Sequence, residues 1–97
     1  MRYEIQLSPD AVDDLRFAKA NIRARVLDVI EECLRYEPAK ENKSRIRRLK
    51  GLSRPKYRLR VDDYRIYYDI NGNIVEILAL VSKEASVSWL EREGVKI

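Results

Sequence analysis

The sequence predicts an α+β fold in the order β-α-α-β-β-β-α. A mostly antiparallel four-stranded sheet would carry an N-terminal helical hairpin on one face and end in a short C-terminal helix. Three observations carry this. Apolar and polar residues alternate in four short stretches, the period of a half-buried strand. Between the first two stretches, apolar residues recur at helical spacing along two consecutive stripes. Two dipeptides, Asp62-Asp63 and Asn71-Gly72, stand where tight turns would join the last three strands. At 97 residues the chain reads as one domain, residues 1–97, with room for one modest core.

The elements follow in order. Tyr3, Ile5 and Leu7 alternate with Glu4 and Gln6, a first strand. Ser8 is placed to cap a helix, Pro9 fits its first position, and Asp10, Asp13 and Asp14 complement the positive helix end. Ala11, Leu15 and Ala18 share its stripe. The pattern breaks around Ala20-Asn21, and a second helix is expected from about Ile22 to Tyr36, ended by Pro38. So short a break makes the pair an antiparallel hairpin. The basic stretch ENKSRIRRLKGLSRPK has only Ile46, Leu49 and Leu52 as apolar anchors and is expected to cover a sheet edge as an ordered loop, with at most a short turn of helix or strand. YRLRV, YRIYYDI and NIVEILALV are the remaining strands. SKEASVSWLEREG gives the last helix, with Ser82 or Ser86 as cap and Gly94 as stop.

Composition narrows the chemistry. No apolar run approaches the ~18 residues that span a bilayer, and MRYEIQLSPD lacks a signal-peptide layout, so a cytoplasmic protein is expected. Cys33, the one cysteine, allows no internal disulfide and reads as a small core residue on the second helix. Histidine is absent, which removes the commonest general base and metal ligand; no metal and no cofactor are expected. Net charge is +4, but from Lys40 to Arg60 ten basic residues face one acid, Glu41. That segment carries +9 and the other 76 residues carry −5. A basic block in an otherwise acidic domain points to a polyanionic partner, either nucleic acid or an acidic protein.

Two-residue loops fix cross-strand neighbours. An Asp62-Asp63 turn pairs Val61 with Tyr64, Arg60 with Arg65, Leu59 with Ile66 and Arg58 with Tyr67. An Asn71-Gly72 turn pairs Tyr68 with Val75, Tyr67 with Glu76, Ile66 with Ile77 and Arg65 with Leu78. Tyr57, Leu59, Val61, Tyr64, Ile66, Tyr68, Val75, Ile77 and Ala79 then face the helices. The opposite face holds Arg58, Arg60, Arg65, Tyr67, Glu76, Leu78 and Leu80. Directly opposed like charges destabilise a sheet by up to about 1 kcal/mol, so Arg60 against Arg65 suits either a bound anion or two side chains splayed into water. Glu76 beside Tyr67 would be available to neutralise one arginine.

At these residues the chain resembles the RelE/ParE superfamily, the toxins of bacterial type II toxin–antitoxin modules. The likeness lies in the helical N-terminal half, RRLKG, YRLRVDDYRIYYDI, and the strand running into SKEASVSWL. The resemblance implies a toxin of the RelE-like branch, a ribosome-dependent, metal-independent endoribonuclease that cuts messenger RNA; the alternatives are a ParE-like DNA gyrase inhibitor and a catalytically weak toxin-fold binding protein. It also implies a cognate acidic antitoxin as partner. Carried over residue by residue, Arg58 and Arg60 take the two basic positions of the first hairpin strand, Arg65 the arginine of the second, and Lys83 the basic position after the last. Trp89 stands where such enzymes often have tyrosine, either to stack a base or to anchor the last helix on Leu78 and Leu80. Tyr67 is the remaining acid/base candidate, and Lys43, Arg45, Arg47, Arg48, Lys50, Arg54 and Lys56 are candidates for binding RNA.

Overall fold

Strand β1 (Glu4–Leu7) runs straight into helix α1 (Pro9–Phe17). Ser8 caps that helix as its side chain accepts from the Ala11 N–H at 3.1 Å, and Pro9 sits in the first turn. The helix ends where Arg23 reaches back from α2 (Ala20–Leu34) and donates to the carbonyls of Leu15, Arg16 and Ala18. Those are the carbonyls that a helix C-terminus leaves without partners. The break between the helices therefore falls at Ala18-Lys19 rather than Ala20-Asn21, and α2 starts and ends two residues earlier than its periodicity suggests. A computed structural model describes all 97 residues.

The main sheet has five strands in the order β1, β6 (Ile74–Ser82), β5 (Tyr64–Asn71), β4 (Tyr57–Val61) and β2 (Ile46–Arg48). The four expected strands are present: β1, β4, β5 and β6. The fifth, β2, comes from the basic segment and pairs antiparallel with β4. β1 lies parallel to β6, and the other pairings are antiparallel. A second, two-stranded sheet joins β3 (Leu52–Arg54) to β7 (Val95–Lys96), which follows α3 (Ser86–Glu93). Neither predicted serine is the N-cap of α3, which is Ala85; Ser82 Oγ instead accepts from the Ala85 N–H at 3.3 Å. Gly94 does end the helix, with its N–H on the Leu90 carbonyl at 2.8 Å.

The helical hairpin packs on one face. Ala11, Leu15, Val26, Val29, Ile30 and Leu34 bury against Ile46, Tyr57, Leu59, Val61, Ile66, Tyr68, Val75 and Ile77. Cys33 packs on this core, and burial pushes its thiol up from the usual range, as a core residue requires. Tyr68, fully buried, donates its hydroxyl to the Pro38 carbonyl at 2.6 Å, and burial raises its phenol well above the usual tyrosine range.

The first hairpin has the expected register, with Arg60 opposite Arg65 and Arg58 opposite Tyr67. Asp62 takes the left-handed backbone conformation at φ 51°, which aspartate tolerates in a tight turn. The second hairpin differs. Asn71 pairs with Ile74, so the turn is Gly72-Asn73 with Gly72 at φ 61°. Further on, Tyr68 pairs with Ile77 but Tyr67 with Ala79, so Leu78 is the extra residue of a β-bulge. None of the four expected β5–β6 pairs forms: Tyr68 lies opposite Ile77, not Val75, Tyr67 opposite Ala79, not Glu76, Ile66 opposite Leu80, not Ile77, and Arg65 opposite Val81, not Leu78. Ala79 leaves the helical face, Leu80 joins it opposite Ile66, and Glu76 pairs with Asp69, away from Tyr67.

Candidate functional site

The face away from the helices has two halves. Rows of cross-strand neighbours run across it: Arg47, Arg58, Tyr67 and Ala79 in one, Arg60, Arg65 and Val81 in the next. On the β5–β6 side, Tyr67, Ala79 and Val81 form a small apolar cluster covered by Leu49, Trp89 and Leu90. Helix α3 thereby packs over this half through Trp89 and Leu90. The β2–β4 side stays open and carries the arginines.

Each arginine is held differently. Arg60 is exposed. Arg65 is buried, 8% exposed, and its Nη1 donates to the carbonyls of Asp62 at 3.2 Å and Tyr64 at 3.0 Å. It wraps the turn, so at least one of its nitrogens is already committed. Arg58 is half-buried, and its Nε is enclosed without any hydrogen-bond partner. Its guanidinium is held below the usual arginine range, first by burial, then by the positive neighbours Arg65, Arg47 and Arg60, with Tyr67 opposing. None of Arg47, Arg58, Arg60 and Arg65 takes part in an ion pair. Because the shifted register moves Glu76 away, no acid neutralises the cluster. A desolvated donor without an acceptor costs about 1–3 kcal/mol. A bound anion would supply that acceptor, and a phosphate oxygen matches the guanidinium fork.

Trp89 lies flat on Tyr67, ring centroids 4.7 Å apart and planes at 4°. Its anchoring role is thus fulfilled on Tyr67 rather than on Leu78 and Leu80, and Tyr67, 1% exposed, is a wall of the site. Lys83 is exposed just past β6, and its N–H donates to the Asp63 carbonyl at 2.7 Å. Arg65 and Lys83 are therefore brought to the same turn.

The remaining basic residues do not form one surface. Arg47 belongs to the arginine rows, whereas Arg48, next along β2, points to the helical side over the Tyr57 ring, 5.6 Å from its centroid. Arg45 donates to the Arg60 carbonyl at 3.2 Å. Arg54 lies 4.0 Å from Asp69, which also accepts from the Lys56 N–H at 2.6 Å. Lys43, Lys50 and Lys56 are exposed in the flanking loops. The segment wraps the β2 edge and presents charge around it. Arg47 was expected only as one of a run; its place beside Arg58 follows from strand β2, for which three residues of alternation gave no secure signal.

Residues 5–86 match the family model described as the ParE toxin of the type II toxin–antitoxin system parDE. The chain is 36% identical over 64 residues to toxin RelE3 of Methanocaldococcus jannaschii, covering 66% of this chain and 72% of that one. The toxin–antitoxin complex RelB–RelE from Methanococcus jannaschii superposes with a TM-score of 0.66 at 26% identity, over 86% of this chain and 95% of that chain. The archaeal RelE–RelB complex from Pyrococcus horikoshii gives 0.65 at 28%, over 86% and 97%. A free mutant of the E. coli toxin RelE shares the fold, with a TM-score of 0.72 at 19% identity over 96% and 99%. No helix is long and apolar enough to cross a membrane. The chain belongs to the ParE toxin family of type II toxin–antitoxin systems and is a RelE-like toxin.

Proposed function

We propose that this toxin is a ribosome-dependent endoribonuclease that cuts messenger RNA in the cytoplasm and is held inactive by a cognate acidic antitoxin. The observation that carries the reading is Arg58: a half-buried guanidinium with an enclosed, unpartnered Nε, set among Arg47, Arg60 and Arg65 with no carboxylate to balance them. A scissile phosphate is the ligand that suits this arrangement. In the reaction the ribose 2′-hydroxyl gives up its proton as its oxygen attacks its own phosphorus. The bond to the 5′-oxygen breaks, that oxygen leaves as a 5′-hydroxyl on taking up a proton from solvent, and a 2′,3′-cyclic phosphate remains. Arg58 and Arg60 neutralise the extra charge on phosphorus, and Arg65 keeps the turn beside them rigid. Arginine stays charged and moves no proton. Lys83 stands exposed at that turn, tied to it by its backbone N–H on the Asp63 carbonyl, and the ribosome contributes by fixing the attacking geometry. The basic β2 edge, with Lys43, Arg45, Lys50, Arg54 and Lys56 around it, is a surface for ribosomal RNA in the active state. In the inhibited state it suits an acidic antitoxin segment by charge; that an antitoxin binds at all is supported by the solved relatives, which are toxin–antitoxin complexes.

A second reading, inhibition of DNA gyrase, draws on the ParE description of the matching family model, but it leaves the arginine rows without a ligand. The test uses translating ribosomes. Wild type should cut bound message, and Arg58→Ala/Arg60→Ala should lose roughly 10²-fold or more in rate. Equal cutting by the double variant would end the phosphate-clamp reading. Intact message together with blocked gyrase supercoiling would put the ParE-type action in its place.

A further inference from the structure

Ser8 and Asp14 belong to the helical side, yet both end on the strand that carries the floor of the arginine face. β1 covers β6 only as far as Ile77, opposite Leu7. Beyond that point the outer edge of β6 has no strand beside it, and α1 takes over. The Ser8 N–H donates to the Ile77 carbonyl at 2.9 Å, and the Ser8 hydroxyl donates to the Leu78 carbonyl at 2.9 Å. Two residues on, the Leu80 N–H donates to Asp14 Oδ2 at 2.9 Å.

Successive carbonyls of a regular strand point to opposite sides. Here those of Ile77 and Leu78 both turn to one residue, which is what the extra residue of a bulge produces. Ser8 satisfies both while its Oγ still accepts the Ala11 N–H. The clasp thereby holds the phase of β6 past the bulge. That phase sets Ala79 opposite Tyr67 and Val81 opposite Arg65, and so supplies the apolar bed for Trp89. One residue of slip would turn every later side chain of β6 to the other face.

We infer that Ser8 and Asp14 are positioning residues for the arginine face, holding the Leu78 bulge on which the Tyr67–Trp89 wall and the seat of Arg65 depend. Neither touches the site. The expected effect on cutting rests on the nuclease reading above; the effect on the wall does not.

Ser8→Asp separates the clasp from the helix cap. Aspartate caps a helix as well as serine does, but an ionised carboxylate has no proton to give the Leu78 carbonyl. Asp14→Ala removes the other tie and leaves the cap intact. Ser8→Thr and Asp14→Asn keep the required donor and acceptor. In the folded full chain, Ser8→Asp and Asp14→Ala should shift the Trp89 indole N–H and Arg58 Nε–H resonances and speed amide exchange at Ala79 and Val81 roughly tenfold. Their cutting of ribosome-bound message should fall roughly tenfold to a hundredfold, while Ser8→Thr and Asp14→Asn should resemble wild type in every readout. Unmoved resonances and unchanged exchange in both Ser8→Asp and Asp14→Ala would overturn the inference. Moved resonances in a protein whose wild type cuts no message would uphold the clasp and remove the nuclease reading instead.

Discussion

The rings of Tyr67 and Trp89 stack at 4.7 Å with their planes 4° apart, and through this contact α3 is held on the β5–β6 half of the sheet. α3 has no fully buried residue of its own, so its position depends on the partly buried Trp89 and Leu90, of which the indole is the larger. Trp89→Ala should cost about 2–3 kcal/mol, less than the ~3–5 of a fully buried aromatic. Trp89→Phe should recover most of it. Urea unfolding checks the order, and equal stability of wild type and Trp89→Ala would show that other contacts hold the helix.

Arg60 and Arg65 face each other but differ in duty. Arg65 is buried on the turn carbonyls, so Arg65→Ala should lower stability by about 1–3 kcal/mol as well as impair cutting. Arg60→Ala, at an exposed position, should leave stability within about 0.5 kcal/mol and impair cutting alone. Thermal unfolding beside the ribosome assay separates the two.

Arg58→Lys tests the missing base. A lysine there meets the same burial and the same positive neighbours that hold the Arg58 guanidinium down, so its ammonium should titrate below ~10.4. As that group loses its proton it becomes able to accept one from the 2′-hydroxyl. Single-turnover cutting by Arg58→Lys should therefore climb more steeply than wild type between about pH 6 and 9. Parallel profiles would show that the position acts only through charge.

Asp14 gives a pH signature. Burial raises its carboxyl above 3.8, the Leu80 N–H opposes this, and Asp10 and Asp13 add to the rise. A carboxyl raised in the fold keeps its proton to higher pH than it does in the unfolded chain. Stability from this group is therefore lost as pH climbs from 3.8 through the folded value, and then levels off. Asp14→Asn lacks this loss. Urea midpoints of the two proteins should diverge in that window in favour of the variant; midpoints that stay parallel would show the carboxyl to be unshifted.

Tyr68→Phe should cost about 1–2 kcal/mol, since the Pro38 carbonyl loses its buried donor, and chemical denaturation measures it directly. Cutting by the folded variant should be unchanged, because Tyr68 faces the helices.

The sequence by itself determined the α+β class, both helices of the hairpin, the Ser8 cap, the first hairpin's register and the opposition of Arg60 and Arg65. These follow from local periodicity, capping chemistry and a tight turn, all decided within a few residues. What it left to the tertiary structure came from far along the chain. The phase of β6 past the bulge depends on Ser8 and Asp14, separated from their partners by 70 and 66 positions, and that phase sets Ala79 opposite Tyr67, whereas the Gly72-Asn73 turn moved Glu76 opposite Asp69. Strand β2 exists because β4 offers it an edge, which brings Arg47 beside Arg58. Tyr67 and Trp89 became each other's cover by packing across the sheet face. Alternation along one strand tells which side chains share a face of it, but a bulge fixed from another element decides what stands opposite them.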